Sequence, residues 1–288
     1  MFQNCKKYWL FWLTLALIAV NVFIFRLDWQ SSNKGFTFAM LDVGQGDALF
    51  VESPTGTQVL IDGGGERKIL SQLSRIMSPF DRSIDALIIT NPDQDHIGGF
   101  LDVLKVYKVG RVFEPGTIND SRVYRNLKNV INKNKIPNIL AKKGMILDLG
   151  AGVKIEILFP DRDVSLFSTN DGSVVARLSY GENSMMLMGD STVKTEKIIL
   201  QNYKKENLES DILKVGHHGS RTSTSDKFLE AVSPKYAFVS NSKNNKYGHP
   251  HKEILDILGS FGVDILRTDQ LGTIIFRCDT IKQCKIKK

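Results

Sequence analysis

The chain has 288 residues and a mass of 32.3 kDa, with 42% hydrophobic and 24% charged residues, a composition that excludes a disordered protein and allows one large or two small domains. Its net charge of +7 and pI near 9.2 weakly favour an anionic partner such as nucleic acid or a lipid surface, although a lysine-rich solvated surface explains them equally well. Three cysteines are too few for a disulfide framework, but Cys278 and Cys284 flank a short polar segment and would bond across a hairpin in an oxidising compartment.

An apolar segment from Tyr8 to Phe25 is the first predicted element. As a helix rising about 1.5 Å per residue, its eighteen residues nearly cross a bilayer core of roughly 30 Å, and aromatic residues cluster at its ends, as interfacial anchors do. A cleaved signal peptide is the alternative, but the apolar core is long for one and no small-x-small cleavage site follows it. The sequence therefore predicts an uncleaved membrane anchor in residues 1–30 and a polar linker in residues 31–35.

Charged residues on either side of this segment predict its orientation. Lys6 and Lys7 precede it, whereas Arg26 follows it and is offset by Asp28. The positive-inside rule then keeps the N-terminus cytoplasmic. We expect a single-pass membrane protein whose residues 36–288 lie on the extracellular side.

After residue 35, short apolar strands alternate with amphipathic helices, and no repeat or long linker divides the chain. We therefore predict one mixed α/β (α+β) domain in residues 36–288, a large but permitted size. In chain order, the predicted elements are strands Phe36–Leu41, Ala48–Val51 and Gln58–Ile61, helix Arg67–Met77, strand Ala86–Thr90, helices Gly98–Lys105 and Arg122–Asn132, strands Lys154–Phe159, Val174–Ser179 and Met185–Met188, helices Thr192–Asn202 and Asp226–Ala231, strand Tyr236–Val239, helix Lys252–Phe261, and strands Asp264–Arg267 and Thr273–Phe276.

Histidines and aspartates gather where several of these strands end, although the chain has only five histidines. Loops at one end of a sheet are where catalytic groups meet, and imidazole with carboxylate is a donor set that binds divalent metals. A single aspartate at a strand end is most often a turn residue, so the prediction of a metal site depends on the whole set. The set comprises Asp93, Asp95 and His96 after one strand, Asp190 after a second, His217 and His218 after a third apolar run, and His249 and His251 after a fourth.

The order and spacing of these motifs resemble the metallo-β-lactamase superfamily, and most closely the extracellular hydrolase domain of ComEC-type DNA-uptake proteins. That family carries DVGQGDA, IDGG, HxDxDHxGG, GD and HHGS, which correspond here to residues 42–48, 61–64, 91–99, 189–190 and 217–220. The resemblance covers Phe36 to Phe276 and implies an αββα sandwich with a metal site at one edge. The channel of that family is absent, which predicts a stand-alone, membrane-tethered relative.

The resemblance also implies how a first metal ion, Zn or Mn, is bound. Its ligands would be Asp95, His96 and His217, with Asp190 bridging to a second ion. His218 is the alternative to His217, because the sequence does not distinguish two adjacent histidines.

A second ion would be bound, by the same resemblance, through Asn91 and Asp93. Asn91 departs from the family's histidine, and a neutral amide is a weaker ligand than imidazole and accepts no proton. The chain is therefore expected to hold one ion firmly and the second loosely. Further residues implied at the site are Asp171 or its neighbour Asn170 as a ligand, and Asp42 and Asp47 as residues that orient ligands.

Paired metal ions suit hydrolysis of a phosphodiester. Asp93 or Asp190 would accept a proton from the attacking water, and the carboxylate-rich donor set shifts the preference toward Mn. His249 would bind phosphate or donate a proton to the leaving oxygen, unless it only shapes the loop before the next helix.

Three functions remain open from the sequence. The first is a nuclease for single-stranded or degraded DNA that works with the DNA-uptake machinery, a substrate class that the positive charge favours. The second is hydrolysis of another phosphodiester or ester. The third is a metal- or DNA-binding module without turnover.

Overall fold

The computed structural model describes the backbone of residues 5–32, 35–65 and 67–287, and the side chains of residues 8–22, 35–65 and 67–287. Its first element is helix α1, Cys5–Ser32, which continues into the residues predicted as a linker. Within the described residues, no helix is long and apolar enough to cross a membrane, so the predicted anchor is unconfirmed. The end of that anchor and the flanking charges used to orient it lie outside the described side chains.

The strands of the described residues form two sheets. From edge to edge, the eight-stranded sheet consists of β15 (Gln283–Lys287), β14 (Ile274–Thr280), β1 (Phe36–Met40), β2 (Leu49–Glu52), β3 (Gln58–Ile61), β4 (Ser83–Ile88), β5 (Lys108–Glu114) and β6 (Asn138–Leu140). The seven-stranded sheet consists of β13 (Asp264–Arg267), β12 (Tyr236–Val239), β11 (Ile212–Lys214), β10 (Asn183–Leu187), β9 (Val175–Tyr180), β8 (Val153–Phe159) and β7 (Ile146–Asp148). The other described α-helices are α2 (Lys68–Ile76), α3 (Gln94–Ile97), α4 (Phe100–Val106), α5 (Arg122–Lys133), α6 (Val193–Asn202), α7 (Asp226–Val232), α8 (Lys252–Ser260) and α9 (Thr268–Leu271).

The two sheets pack face to face, because alternate residues of a strand point to opposite faces. In β1, Phe36 and Phe38 point between the sheets, where the ring centroid of Phe38 lies 6.1 Å from that of Phe238 in β12. Ala39 points to the other face and packs in the core beneath the helices. Both faces of β1 are covered, which explains why its five residues are all buried and its sequence shows no polar alternation.

Helices cover the outer faces of both sheets. Leu73 of α2 and Leu127 of α5 belong to the core outside the eight-stranded sheet. Phe228 of α7 and Leu258 of α8 belong to the core outside the seven-stranded sheet. The layers are therefore helix, sheet, sheet and helix, which confirms the predicted αββα sandwich.

The strands that precede the predicted site residues end at one edge of the sandwich. Strands β3, β4 and β5 are parallel in the first sheet, and β10, β11 and β12 are parallel in the second. Parallel neighbours end on the same side, so the loops after β4, β10, β11 and β12 meet there.

The elements predicted after residue 35 are present, with ends displaced by up to four residues. Five strands were absent from the prediction: β5; β11, whose residues were noted only as an apolar run; and the short or largely exposed β6, β7 and β15, whose burial gives little apolar pattern to detect. Cys278 and Cys284 form a disulfide between the paired strands β14 and β15, as the sequence allowed.

Candidate metal centre

The loop after β4 delivers His96 to the centre of the sandwich edge. The side chain of Asn91 accepts a hydrogen bond from the Asp93 backbone N–H at 2.8 Å, which shapes the turn before α3. The turn packs closely on the loop after β3, because a Cβ at Gly99 would lie 2.0 Å from the carbonyl oxygen of Gly63. His96 is fully buried as a result.

Four side chains converge at this point and form what we call the primary cluster: Asp95, His96, Asp190 and His218. One ligand atom from each lies within 4.8 Å of the others. The Nε2 atom of His96 lies 3.1 Å from Asp190 Oδ2, and Nε2 of His218 lies 3.5 Å from Asp190 Oδ1 and 3.4 Å from Asp95 Oδ2. Two imidazoles and two carboxylates thus face one point.

The primary cluster fits a divalent cation. Nε2 of His96, Nε2 of His218 and Oδ1 of Asp190 are buried and lack a hydrogen bond of acceptable geometry to any described residue. Buried polar atoms are nearly always paired, so the convergence of these unpaired donor atoms fits a bound cation. Nitrogen and oxygen donors in this number suit Zn or Mn.

Each histidine of the primary cluster is oriented through its other ring nitrogen. Nδ1 of His96 lies 2.8 Å from Asp62 Oδ2, and the Thr90 backbone N–H donates to the other oxygen of Asp62 at 2.8 Å. Nδ1 of His218 lies 2.9 Å from the Ser240 carbonyl oxygen and 3.3 Å from Asp47 Oδ1. Such partners fix the ring orientation, so that both Nε2 atoms face the primary cluster.

A buried lysine lies beneath His218. Lys214 at the end of β11 is fully buried, forms an ion pair with Asp47 and donates a hydrogen bond to the Gly189 carbonyl oxygen at 2.8 Å. Although burial raises the pKa of Asp47, Lys214 and His218 lower it overall. Asp47 is therefore an ionised carboxylate that faces both the Lys214 ammonium and Nδ1 of His218, a position from which it can orient that ring.

The electrostatics of the primary cluster favour a cation. Burial lowers the pKa of His218, but the carboxylates of Asp190 and Asp47 raise it to about 10, and Asp190 and Asp62 likewise raise that of His96 well above its usual value. Burial raises the pKa of Asp190, but His96 and His218 hold it well below its usual range. The aspartates therefore stay ionised, and their negative potential is balanced either by protons on the imidazoles or by a metal ion that displaces them.

The structure brings His218, rather than His217, into the primary cluster. Both residues have left-handed backbone angles, with φ of 48° for His217 and 54° for His218, and this tight turn points their side chains in different directions. His217 lies at the mouth of the site, with Nε2 3.8 Å from Asp190 Oδ2 and Nδ1 3.1 Å from the Thr222 hydroxyl.

A second group of polar residues lies beside the primary cluster, and we call it the amide cluster: Asn91, Asp93, Asn119, Thr169 and Asn170. Asn91 is fully buried, and its amide nitrogen donates to Asn170 Oδ1 at 2.7 Å. Asn119 and Thr169 each donate to one oxygen of Asp93, both at 2.9 Å. Asn91 and Asp93, predicted to bind a second ion, are thus hydrogen-bonded to protein groups through every polar side-chain atom.

Other predicted residues lie apart from both clusters. Asp171 accepts hydrogen bonds from Thr192 and, at 3.0 Å, from Lys194, whereas its neighbour Asn170 lines the cleft. Asp42 accepts from the Gly44 backbone N–H at 3.2 Å and so shapes its own turn.

A cleft of about 200 Å³ opens from the primary cluster to solvent, and its walls include His217, Tyr247 and His249. Nδ1 of His249 is buried without a hydrogen-bond partner among the described residues. Burial and the neighbouring His217 and His218 lower the pKa of His249 to about 4, so this imidazole is neutral at pH 7. His251 does not line the cleft; its Nδ1 accepts from the Arg221 backbone N–H at 3.2 Å.

Sequence reasoning missed several residues of this site, among them Asn119 and Thr169 of the amide cluster, Asp62, Lys214 and Tyr247. Asp62 belongs to the IDGG motif, which was recognised as a motif but given no role. Lys214 was detectable as a lone charge in the apolar run before the paired histidines. Tyr247 carried no signal beyond its place next to the glycine before His249.

Comparison with known proteins supports the motif interpretation. Residues 41–120 match the metallo-beta-lactamase superfamily. The chain is 34% identical over 256 residues to ComE operon protein 3 of Bacillus subtilis (strain 168), covering 83% of this chain and 32% of that protein. It is 30% identical over 236 residues to competence protein ComA of Neisseria gonorrhoeae, covering 82% of this chain and 31% of that protein.

The chain therefore spans about a third of the length of these curated relatives. Among solved structures, the metallo-beta-lactamase fold protein YhfI from Bacillus subtilis aligns with a TM-score of 0.57 and 12% identity, covering 84% of this chain and 100% of that one, which shows the fold alone. The motifs, the sandwich, the matched superfamily domain and the curated relatives together support a ComEC-like metallo-beta-lactamase protein.

Proposed function

We propose that this chain is a metal-dependent hydrolase that cleaves phosphodiester bonds in DNA. The observation that carries the proposal is the primary cluster, in which buried imidazole and carboxylate atoms converge without hydrogen bonds to the described residues. When bound there, a divalent ion supplies Lewis acidity and lowers the pKa of a coordinated water.

The residues around the primary cluster have separable roles in this proposal. Asp62 and Asp47 hold His96 and His218 so that each presents Nε2 to the ion. Asp190 stays ionised because His96 and His218 lower its pKa, which makes it a ligand and a poor proton acceptor. Burial raises the pKa of Asp93, so Asp93 is the better acceptor for the proton of the attacking water.

His249 has a narrower role than the sequence left open. Its imidazole is neutral at pH 7 because its pKa is lowered to about 4, so it carries no proton to spare for a leaving oxygen. A neutral imidazole still donates one N–H hydrogen bond, and His249 is placed in the cleft wall to bind a phosphate oxygen.

DNA is the substrate we propose because two independent features support it. The net charge of +7 suits a polyanion. One relative is named as a competence protein, which supports a role in DNA uptake beside the uptake machinery. Single-stranded or degraded DNA is the form expected in that role.

We also propose that Tyr8 to Phe25 anchors the chain in the membrane and that residues 36–288 lie outside the cell. The disulfide between Cys278 and Cys284 supports an oxidising location. Protease treatment of intact cells tests this directly, since external protease would digest the domain, whereas a cytoplasmic domain would be spared.

The enzymatic proposal is tested with the full-length chain in detergent, a labelled single-stranded oligonucleotide, and Mn²⁺ or Zn²⁺. We expect cleavage that EDTA abolishes and that Asp190→Asn reduces by more than about a hundredfold. Asp171→Asn is the matched control and should retain activity, because Asp171 lies outside the primary cluster. Hydrolysis of a small phosphodiester without DNA cleavage would point to another substrate, and DNA binding without any hydrolysis would point to a module without turnover.

A further inference from the structure

An exposed aromatic residue lies at the rim of the cleft. Tyr247 is 52% exposed and lines the same cleft as Asp190 and His218. Its ring lies nearly parallel to that of His249, with an interplanar angle of 23° and centroids 5.6 Å apart. The ring is stacked on His249, and about half of the side chain is open to solvent, so a ligand can reach its exposed part.

The loop that carries Tyr247 is held in place by its own asparagine. Asn245 donates to the carbonyl oxygens of Ser242 at 2.9 Å and His249 at 2.6 Å, and its Oδ1 accepts from the His249 backbone N–H at 2.9 Å. These bonds close the loop on both sides of Tyr247. The ring is therefore positioned before a ligand arrives, which reduces the entropy lost on binding.

The same loop is positively charged. Lys243 and Lys246 are exposed, and the segment from Asn241 to His249 contains no aspartate or glutamate. Nζ of Lys246 lies over the Tyr247 ring, 5.0 Å from its centroid, at the end of an exposed side chain that a stacking base would displace toward a phosphate. An aromatic surface with ammonium groups beside it is the combination that binds single-stranded nucleic acid, the ring through a base and the ammonium groups through phosphates.

We propose that Tyr247 stacks against a nucleobase next to the phosphate held in the cleft, while Lys246 and Lys243 bind the neighbouring backbone phosphates. This inference rests on the proposed function and makes it more specific, because it names the residues that bind the base and the neighbouring phosphates of a single strand. In a duplex the faces of the bases are covered by their neighbours, whereas in a single strand they are free to stack on an aromatic side chain.

Binding measured in EDTA separates this inference from catalysis. The first probe is a fluorescein-labelled single strand of about 12 thymidines. The comparison probe is a single strand of equal length and charge whose central positions are abasic. We expect Tyr247→Ala in the full-length chain to raise the Kd for the thymidine strand about tenfold, and Tyr247→Phe to leave it within about twofold, because the ring is what stacks. Neither variant should change the Kd for the abasic strand or for a duplex.

Phe80 provides a control for the loss of an exposed ring. It is 79% exposed and precedes β4, at the end of that strand opposite to the primary cluster, so Phe80→Ala should bind both strands as wild type does. Lys243→Ala and Lys246→Ala should weaken binding of both strands equally and should reduce the dependence of binding on salt. The matched controls are Lys133→Ala and Lys135→Ala, because these two lysines precede β6 at the edge opposite to the primary cluster.

Equal binding of the thymidine strand by wild type and Tyr247→Ala would overturn the inference, and so would an equal loss on the abasic strand. Both readouts are independent of turnover. If the wild-type chain binds through Tyr247 but cleaves no DNA with any metal, the proposed nuclease function is overturned, whereas the inference that Tyr247 stacks on a base still holds.

Discussion

The primary cluster and the amide cluster lie side by side at one edge of the sandwich, yet they differ in how many of their polar atoms are hydrogen-bonded to the protein. In the primary cluster, Nε2 of His96, Nε2 of His218 and an oxygen of Asp190 face a common point without hydrogen bonds to the described residues. In the amide cluster, every polar side-chain atom of Asn91 and Asp93 has a hydrogen-bond partner in the protein. The loop after β4 thus supplies both His96, whose Nε2 atom has no hydrogen bond to the described residues, and Asn91 and Asp93, whose polar side-chain atoms all have protein partners.

This difference explains what Asn91 does in a position where the family has a histidine. Its oxygen fixes the turn that carries Asp93, and its nitrogen joins the loop to Asn170. Asn91 therefore has a structural function, and we expect the primary cluster alone to bind a metal ion firmly.

Removal of one ligand should have the largest effect. Asp190→Asn keeps the shape of the side chain but removes the charge that faces both histidines, so affinity for Mn²⁺ or Zn²⁺ should fall about a thousandfold or more. Calorimetric titration of the apoprotein measures this. Asp171→Asn should bind metal as wild type does, and a comparable loss in both variants would mean that the two aspartates do not differ in role.

Removal of the buried ammonium group of Lys214, which lies beneath His218, should have the next largest effect. Lys214→Met leaves Asp47 as a buried charge without its ion-pair partner, which lowers the free energy of unfolding by about 3–5 kcal/mol. Urea denaturation checks this value. The control is Lys235→Met, since the exposed Lys235–Asp211 pair should contribute at most about 1 kcal/mol. If Lys214→Met lowered the free energy of unfolding no more than Lys235→Met does, the buried Lys214–Asp47 ion pair would not stabilise the site as we infer.

The pH dependence of metal affinity gives a smaller effect with a definite sign. The pKa of His218 is raised to about 10 in the metal-free protein, so below that pH a cation must displace a proton from this imidazole. Affinity should therefore rise with pH, by about tenfold per pH unit for each proton displaced, between about pH 6 and 9. Calorimetry in buffers of different ionisation enthalpy counts these protons, and affinity that is flat over this range would contradict the protonated state.

Substitution in the amide cluster should have the smallest effect on metal binding. Asn91→Ala removes the hydrogen bonds to Asp93 and Asn170 from a buried site, which lowers the free energy of unfolding by about 1–3 kcal/mol. Affinity for the metal should stay within about threefold of wild type. A loss like that of Asp190→Asn would show that Asn91 is itself a ligand.

The sequence predicted those parts of the site in which the functional residues directly follow an apolar strand. Each apolar strand followed by a histidine or aspartate was visible, and the parallel order of the strands made those ends meet. The choice between His217 and His218 was not predictable, because it depends on two successive left-handed backbone conformations. The placement of Asp171 also failed to follow from spacing, since a turn directs Asn170 into the cleft and Asp171 toward Thr192.

Partners that lie far apart along the chain were the hardest to foresee. Asp47 and Lys214 are separated by most of the domain and meet only because the two sheets pack face to face, which brings the loop after β1 next to the end of β11. A lone lysine before HHGS was a visible oddity, but its partner depended on the three-dimensional packing.

Metal content per chain tests the central difference most directly. Elemental analysis of the purified full-length protein, after exposure to Mn²⁺ or Zn²⁺ and removal of excess metal, should give one ion per chain for wild type and for Asn91→Ala, and none for Asp190→Asn. A metal-free wild type would contradict the assignment of the primary cluster. Two ions in wild type, with one lost in Asn91→Ala, would show instead that the amide cluster is a second metal site.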